Sequence, residues 1–302
     1  MVSIIIVNWN AGSQLRECVD SVIQHGGPLA GQIVVVDNGS NDGSEAAVEG
    51  LPGVTLIRAG MNLGFAKACN LGAARAQGDL LLFLNPDTRL FPDTLMKVTD
   101  YMQRPGNAMV GICGIRLVDE RGNISTSAAR FPTLRVFAGK ILGLTKVFPT
   151  AFPAHLMNPS ELLEDRPVDQ VIGAFFLIRK SVFDFCDGFD ERFFVYFEEV
   201  DLALRAHKHG YSSYFLSGVS AFHKGGGCSE AVKSDRLFYS LRSRILYAQK
   251  HLSRRDLFVL IFLTGLEFPL RLAQSLMRAS WLDLSSTCGA YIQLVFYFAR
   301  RV

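Results

Sequence analysis

The sequence predicts an α/β fold: a mostly parallel sheet flanked by helices, with a helical extension at the C-terminus. Three observations point there. Residues 1 to about 115 alternate short aliphatic runs with helix-forming stretches over short connections, the pattern of a parallel sheet covered on both faces. The run Leu80-Leu81-Leu82-Phe83-Leu84 is apolar throughout and ends abruptly in Asn85-Pro86-Asp87, as a strand buried on both sides does on leaving its sheet. Two earlier strands also end in polar residues, at Asn8 and at Asp37-Asn38, and right-handed crossovers carry all three ends to one edge.

The elements follow in order. Val2 to Val7 is a β-branched strand closed by Asn8, and Ser13 suits the cap of a helix to about Gln24. Gln32 to Val36 is the second strand, followed by Asp37-Asn38-Gly39-Ser40 and a short helix from Asp42 to Glu49. Val54 to Ile57 is the third strand, and Gly64 to Ala76 is a small-residue helix containing Asn70. After the Leu80–Leu84 strand comes a helix from about Pro92 to Met102. Residues 168–178 read as a strand interrupted by Gly173-Ala174, where small residues permit close backbone approach or merely a packing kink. A helix starts near Glu198 and stops at Gly210, and Tyr211 to Leu216 is a further strand.

The polar strand ends form a crevice at the edge where open α/β sheets hold ligands. Asp87 there could hold a divalent cation against a diphosphate, although Asn-Pro-Asp is also ordinary turn chemistry. No Gly-x-Gly-x-x-Gly follows the first strand and no Gly-x-x-x-x-Gly-Lys-Ser/Thr occurs. A dinucleotide Rossmann site and a phosphate-loop NTPase are therefore disfavoured. Trp9-Asn10-Ala11-Gly12 does not supply the glycine-rich loop of a nucleotidyltransferase.

Four ordered motifs resemble family 2 glycosyltransferases of the GT-A (Rossmann-like) fold. Ser3 to Asn10 resembles the family's opening strand, and Val35 to Ser44 its base and ribose segment. Asn62 to Ala66 with Asn70-Leu71-Gly72 resembles the next nucleotide-contacting segment, and Asn85-Pro86-Asp87 stands where most members carry Asp-x-Asp. The resemblance spans about residues 2–225. Asn-Pro-Asp with a late Tyr-Phe-Glu-Glu-Val-Asp-Leu segment is similar to the rhamnosyltransferase-like branch, which mostly uses dTDP-L-rhamnose. The resemblance implies a donor site at Val7, Asn8, Asp37, Asn38, Gly64, Phe65, Asn70, Asn85, Pro86 and Asp87. Asn85 replaces the first carboxylate with a neutral amide. The expected Mg²⁺ or Mn²⁺ then rests mainly on Asp87, in a weaker site than a carboxylate pair gives.

The later motifs supply the acceptor half. Gly173 and Ala174 resemble the floor near donor sugar and acceptor. Gly188 to Leu202 is aromatic and then suddenly acidic. Acids in a first helical turn are favoured by the helix dipole alone. In the family, however, an Asp at the second acidic position takes the acceptor hydroxyl proton, as an inverting transfer requires. The matching residue is Glu199, one methylene longer, with Glu198 beside it. Asp201 lies about 200° around the helix from Glu199 and has Arg205 at i+4 as its expected partner. His223 precedes Lys224 and three glycines. In relatives a His here completes the metal shell or touches the diphosphate, so Asp87 and His223 form the expected metal pair. Lys224 and the glycines are expected to fold over phosphate oxygens, although a flexible surface loop also fits them.

At 302 residues the chain can bury a full core. We expect a transferase domain over 1–230, with a nucleotide-binding half at 1–115 and an acceptor half at 116–230, and a basic, apolar helical extension over 231–302. Charge is asymmetric: the last 72 residues carry 11 Lys/Arg against 4 Asp/Glu, the first 230 carry 20 against 24. The apolar runs Leu257–Leu266 and Ala290–Ala299 are too short to span a bilayer. With their basic flanks they fit helices lying on the inner face of the cell membrane, or a hairpin packed on the domain or on a second copy in a homodimer. A second basic stretch, Ala129 to His155, contains no acid and interrupts the α/β pattern; it is expected to be poorly ordered without ligand. Six cysteines without a Cys-x-x-Cys pair fit reduced thiols in a cytoplasmic protein, and the chain opens on a strand rather than a secretory leader.

The function expected is an inverting, metal-assisted transferase moving L-rhamnose from dTDP-L-rhamnose to a lipid-linked or surface-polysaccharide glycan. No nucleic-acid partner is expected. The alternatives are the same fold with a UDP- or GDP-sugar, or a non-catalytic membrane-associated subunit that binds sugar nucleotide or glycan. A processive synthase is disfavoured because no Gln-x-x-Arg-Trp segment occurs.

Overall fold

The computed structural model describes residues 1–225 and 233–300. The strands are β1 (Val2–Asn8), β2 (Ala30–Asp37), β3 (Val54–Arg58), β4 (Leu80–Leu84), β5 (Thr88–Leu90), β6 (Val110–Val118), β7 (Ile124–Ser125), β8 (Ala128–Ala129), β9 (Arg166–Val168), β10 (Gln170–Val171), β11 (Phe175–Arg179) and β12 (Ser212–His223). The α-helices are α1 (Ser13–Gly26), α2 (Phe65–Ala73), α3 (Thr94–Gln103), α4 (Leu134–Ile141), α5 (Lys180–Phe185), α6 (Glu198–Lys208), α7 (Lys233–His251), α8 (Arg254–Met277) and α9 (Trp281–Ala299). The chain divides into two compact units.

The first unit comprises Met1–Phe131, Leu156–Glu191 and the chain from Glu198 through β12. Its main sheet runs β3-β2-β1-β4-β11-β6-β12-β5. The first four strands are mutually parallel, whereas β11 is antiparallel to both neighbours and β5 to β12. The apolar runs are buried on both faces. Ile4 and Ile6 of β1, with Leu80, Leu82 and Leu84 of β4, meet α1 and α3 through Leu15, Val19, Leu95 and Val98. Ile5, Leu81 and Phe83 meet α2, α5 and α6 through Ala66, Cys69, Val182 and Leu202. Period-two alternation thus feeds two cores at once, which is why these strands read as unbroken hydrophobic runs.

In the second half of the sheet β5 and β6 were not expected from the sequence, and the strand expected over residues 168–178 is divided among β9, β10 and β11. The strand expected to end at Leu216 continues to His223, after a register shift between Leu216 and Ser220 against β6. Ser217-Gly218-Val219 occupy that irregularity, and a bulge of this kind interrupts the alternation from which a strand is recognised.

The second unit contains Pro132–His155, Arg192–Phe197 and the C-terminal helices. The stretch expected to lack order holds α4, capped by Thr133, whose hydroxyl accepts from the Val136 amide at 3.4 Å. The Phe197 ring lies 6.4 Å from His155, nearly parallel, and 5.5 Å from Tyr247. Phe238, Leu241, Ile245, Ala290 and Leu294 form the core between α7 and α9. Among the described residues no helix is long and apolar enough to cross a membrane.

Candidate active site

The crevice begins where β1 and β2 end together, with Asn8 opposite Asp37 in parallel register. Asn8 is fully buried, and its Nδ2 donates to Asp37 Oδ1 at 3.0 Å, Ser40 Oγ at 3.0 Å and Ser44 Oγ at 2.8 Å. The Ser40 amide donates to Asp37 Oδ2 at 3.3 Å, so the carboxylate is held from both oxygens. Asn8 Oδ1 is buried with no partner among the described residues. An uncompensated buried acceptor costs about 1–3 kcal/mol, and a ligand donor would relieve it.

Asn38 stitches this edge to the next segment. Its Oδ1 accepts from the Leu63 amide at 2.8 Å and its Nδ2 donates to Asn62 Oδ1 at 3.0 Å. Gly39 lies between them at φ +76, and a Cβ there would stand 2.7–2.9 Å from the backbone of Met61 and Asn62. Only glycine meets both conditions. Val7 puts its side chain in the core, so only its backbone is available at the crevice. Gly64, at φ 85, leads into Phe65 and α2.

Asn70 has a different set of partners from the nucleotide expected for it. Its Oδ1 accepts from the Phe189 amide at 3.0 Å, and its Nδ2 donates to the Phe189 carbonyl at 2.8 Å and Glu191 Oε1 at 3.2 Å. It clamps the segment leading to α6. Arg205 does the same from α6: it pairs with fully buried Asp201 at 2.8 Å, as expected, and donates to the carbonyls of Cys186 and Gly188.

The Asn85-Pro86-Asp87 turn is closed by the Thr88 amide donating to the Asn85 carbonyl at 3.0 Å. The turn reading of these residues is borne out. The Ala174 carbonyl accepts from the Asn85 amide at 3.1 Å and Thr88 Oγ1 at 3.3 Å, which fixes Gly173-Ala174 beside the turn. A side chain at Gly173 would meet no atom within 4 Å, so the floor faces open space. The β5–β12 pairing sets His223 opposite Thr88. His223 Nε2 stands 3.4 Å from Asp87 Oδ1, with the side chains 14 % and 10 % exposed. The Lys224 amide donates to the Asp87 carbonyl at 3.1 Å. Pro86, Asp87 and Lys224 share a cleft with Gln14, Arg89 and Phe222. The glycines expected over the phosphates, from Gly226 on, lie outside the described residues.

One carboxylate oxygen and one imidazole nitrogen fit a divalent cation that leaves most of its shell to phosphate oxygens and water. No group of three or more His, Cys, Asp or Glu side chains is placed to hold a metal among the described residues. Asp87 and His223 are the two candidate ligands that these elements bring together.

Glu198 and Glu199 open α6. Glu198 is buried, Glu199 keeps a partly exposed edge, and Oε2 of each is buried without a hydrogen-bond partner among the described residues. Burial pushes the Glu198 carboxyl well up, and the neighbouring Glu199 charge pushes it further. Burial also raises Glu199, and backbone amides partly offset that. Burial thus disfavours the charged form of both carboxyls, and the two titrate as a coupled pair. The two residues before them, Tyr196 and Phe197, both adopt positive φ, 68 and 72. Left-handed backbone at two successive bulky residues is strained and recurs at functional sites.

Sequence reasoning did not select Asn62, Ser40 or Ser44. They stand inside recognised segments, but only the folded contacts separate the residues that hold Asn8 and Asn38 from their neighbours. Arg89, which packs 3.9 Å over the Phe222 ring, left no sequence signal.

The family model for glycosyl transferase family 2 matches residues 3–185. The chain belongs to glycosyltransferase family 2. It is 30 % identical over 241 residues to the N-acetylglucosaminyl-diphospho-decaprenol L-rhamnosyltransferase of Mycobacterium tuberculosis, covering 74 % of this chain and 76 % of that one. It is 27 % identical to the rhamnosyltransferase WbbL of Escherichia coli, over 85 % of this chain and 96 % of that one. Among solved structures it resembles the mannosyltransferase PcManGT of Pyrobaculum calidifontis in complex with GDP-Man and Mn²⁺. That match has a TM-score of 0.55 at 17 % identity and covers 97 % and 86 % of the two chains. The family 2 enzyme thus has the GT-A fold, and the mixed sheet with its flanking helices is that fold's framework.

Proposed function

We propose that this glycosyltransferase transfers L-rhamnose from dTDP-L-rhamnose, with inversion, onto a lipid-linked glycan at the inner face of the cell membrane. The observation that carries the reaction type is the Glu198–Glu199 pair. It has two unpartnered carboxylate oxygens at one helix start, and burial raises both groups toward the working range of a general base. The rhamnosyl group is supported by the names of both relatives, and the lipid-linked acceptor by that of the Mycobacterium tuberculosis enzyme.

The residues divide the work. Asn8, Asp37 and Asn38 present a fixed amide–carboxylate edge to the nucleoside. Asp87 and His223 face the diphosphate with Lys224 beside them and hold Mg²⁺ or Mn²⁺. Such a cation supplies Lewis-acid stabilisation of the charge that develops on the leaving diphosphate. Gly173 leaves room for the sugar. Glu199, the one of the pair that keeps a partly exposed edge, takes the acceptor hydroxyl proton. The acceptor oxygen then bonds to the anomeric carbon as the bond from that carbon to the diphosphate oxygen breaks, and the electron pair leaves with the diphosphate.

Glu199→Gln tests the assignment. Calorimetric affinity for dTDP-L-rhamnose should stay within about twofold, while transfer to a lipid-linked acceptor falls by about 10²–10⁴. Undiminished transfer would remove Glu199 from the mechanism.

A further inference from the structure

The C-terminal helices hold a second concave site to which no donor-site residue contributes. Lys233 of α7, Arg271 and Gln274 of α8, Arg278 just past α8, and Asp283 and Ser286 of α9 line it. Three cations face one carboxylate, so a positive surplus remains. Asp283 pairs with Lys233 at 3.2 Å. Arg271 binds Glu267 beneath the cavity, its Nε 2.8 Å from Oε1. The Arg278 side chain makes no hydrogen bond or ion pair within the described residues and is exposed.

Arg278 also sits at an apolar corner. The turn between α8 and α9 leaves Met277 81 % and Trp281 78 % exposed, with Leu276 and Leu282 beside them. An unengaged guanidinium between two bare hydrophobic side chains matches an anionic headgroup attached to a hydrocarbon chain. Guanidinium and ammonium groups are the side chains that recognise phosphate, and Trp and Arg side by side suit the headgroup level of a lipid layer.

We propose that this pocket binds the phosphate headgroup of a lipid, with the acyl or isoprenoid chain lying along Met277 and Trp281. For a bilayer phospholipid the site stands apart from the donor and acceptor assignment, since a chain that transferred no sugar would still bind it; for an isoprenoid diphosphate it rests on the lipid-linked acceptor proposed above.

The test is partitioning of the full chain onto phosphatidylcholine vesicles with and without phosphatidylglycerol at physiological salt, read by sedimentation and by the emission of Trp281 in a Trp9→Phe background. Phosphatidylglycerol should strengthen partitioning and shift Trp281 emission to the blue. Arg278→Gln should weaken partitioning about fivefold, the size one basic group near an anionic surface carries. Arg278→Lys should restore most of it, and Lys97→Gln, the same loss of charge at an exposed site on α3, should leave it unchanged. Two lipid sources are separated by competition. Displacement of vesicles by farnesyl diphosphate, but not by farnesol or inorganic pyrophosphate, assigns an isoprenoid diphosphate. Absence of displacement assigns a bilayer phospholipid. Equal losses from Lys97→Gln and Arg278→Gln, or equal binding to neutral vesicles, would overturn the proposal.

Discussion

Glu198 and Glu199 are adjacent carboxyls at one helix start. Burial raises both, and the Glu199 charge raises Glu198 further, so their ionisation is a property of the pair. Transfer should rise with pH along a limb whose apparent midpoint lies above 4.5, the ordinary glutamate value. Glu198→Gln should alter that limb, because a coupled pair then becomes a single titrating carboxyl. A kcat–pH profile reads this, and a limb unchanged by the substitution would separate the two groups. The same shift affects stability in the opposite sense. The folded chain holds these protons where the unfolded chain has released them, so this contribution is present at low pH and lost as pH rises above 4.5. At Gly39 the expectation is structural: Gly39→Ala should lower stability by about 1–3 kcal/mol and weaken donor binding together, since the strained turn positions Asn38. Chemical denaturation alongside donor titration checks both.

At the scale of elements, α7 and α8 are joined by a buried charge cluster. Arg244 and Glu267 pair at 2.7 Å with side chains 8 % and 9 % exposed, and Arg271 binds the other oxygen of Glu267. Burial raises the Glu267 carboxyl, but Arg244 and Arg271 outweigh it and hold the group below its ordinary value. Its contribution is thus present above the unfolded value near 4.5 and lost as pH falls through the folded one. Removing one partner strands a buried charge, so Arg244→Ala should cost about 3–5 kcal/mol, measured by urea denaturation, while Arg255→Ala, at the exposed start of α8, should cost far less. None of this was legible in the sequence, where Arg244 was only one of the 11 Lys/Arg in the C-terminal extension. The legible elements were those with a strong period and a polar stop: β1, β2, β4 and the start of α6. The extension of β12 was hidden by Ser217-Gly218, and α4 by a composition without alternation. Asn70 was legible as important, but its partners, the Phe189 backbone and Glu191, stand 119 and 121 residues away, beyond any local pattern.

For the whole molecule, the parallel half of the sheet ends at Asn8 and Asp37, and the antiparallel β11 and β5 bring Gly173-Ala174 and His223 to the Asn85–Asp87 turn. The proposed function assigns to that convergence the sugar, the diphosphate and the cation. The most direct test is a calorimetric titration of the wild-type chain with dTDP-L-rhamnose, UDP-glucose, UDP-galactose and GDP-mannose, each with and without Mn²⁺. The account predicts metal-dependent binding of dTDP-L-rhamnose at least about tenfold tighter than the others, a margin of about 1.4 kcal/mol, and its loss in Asp87→Asn. Tighter binding of a UDP- or GDP-sugar, or binding indifferent to metal and to Asp87, would contradict it.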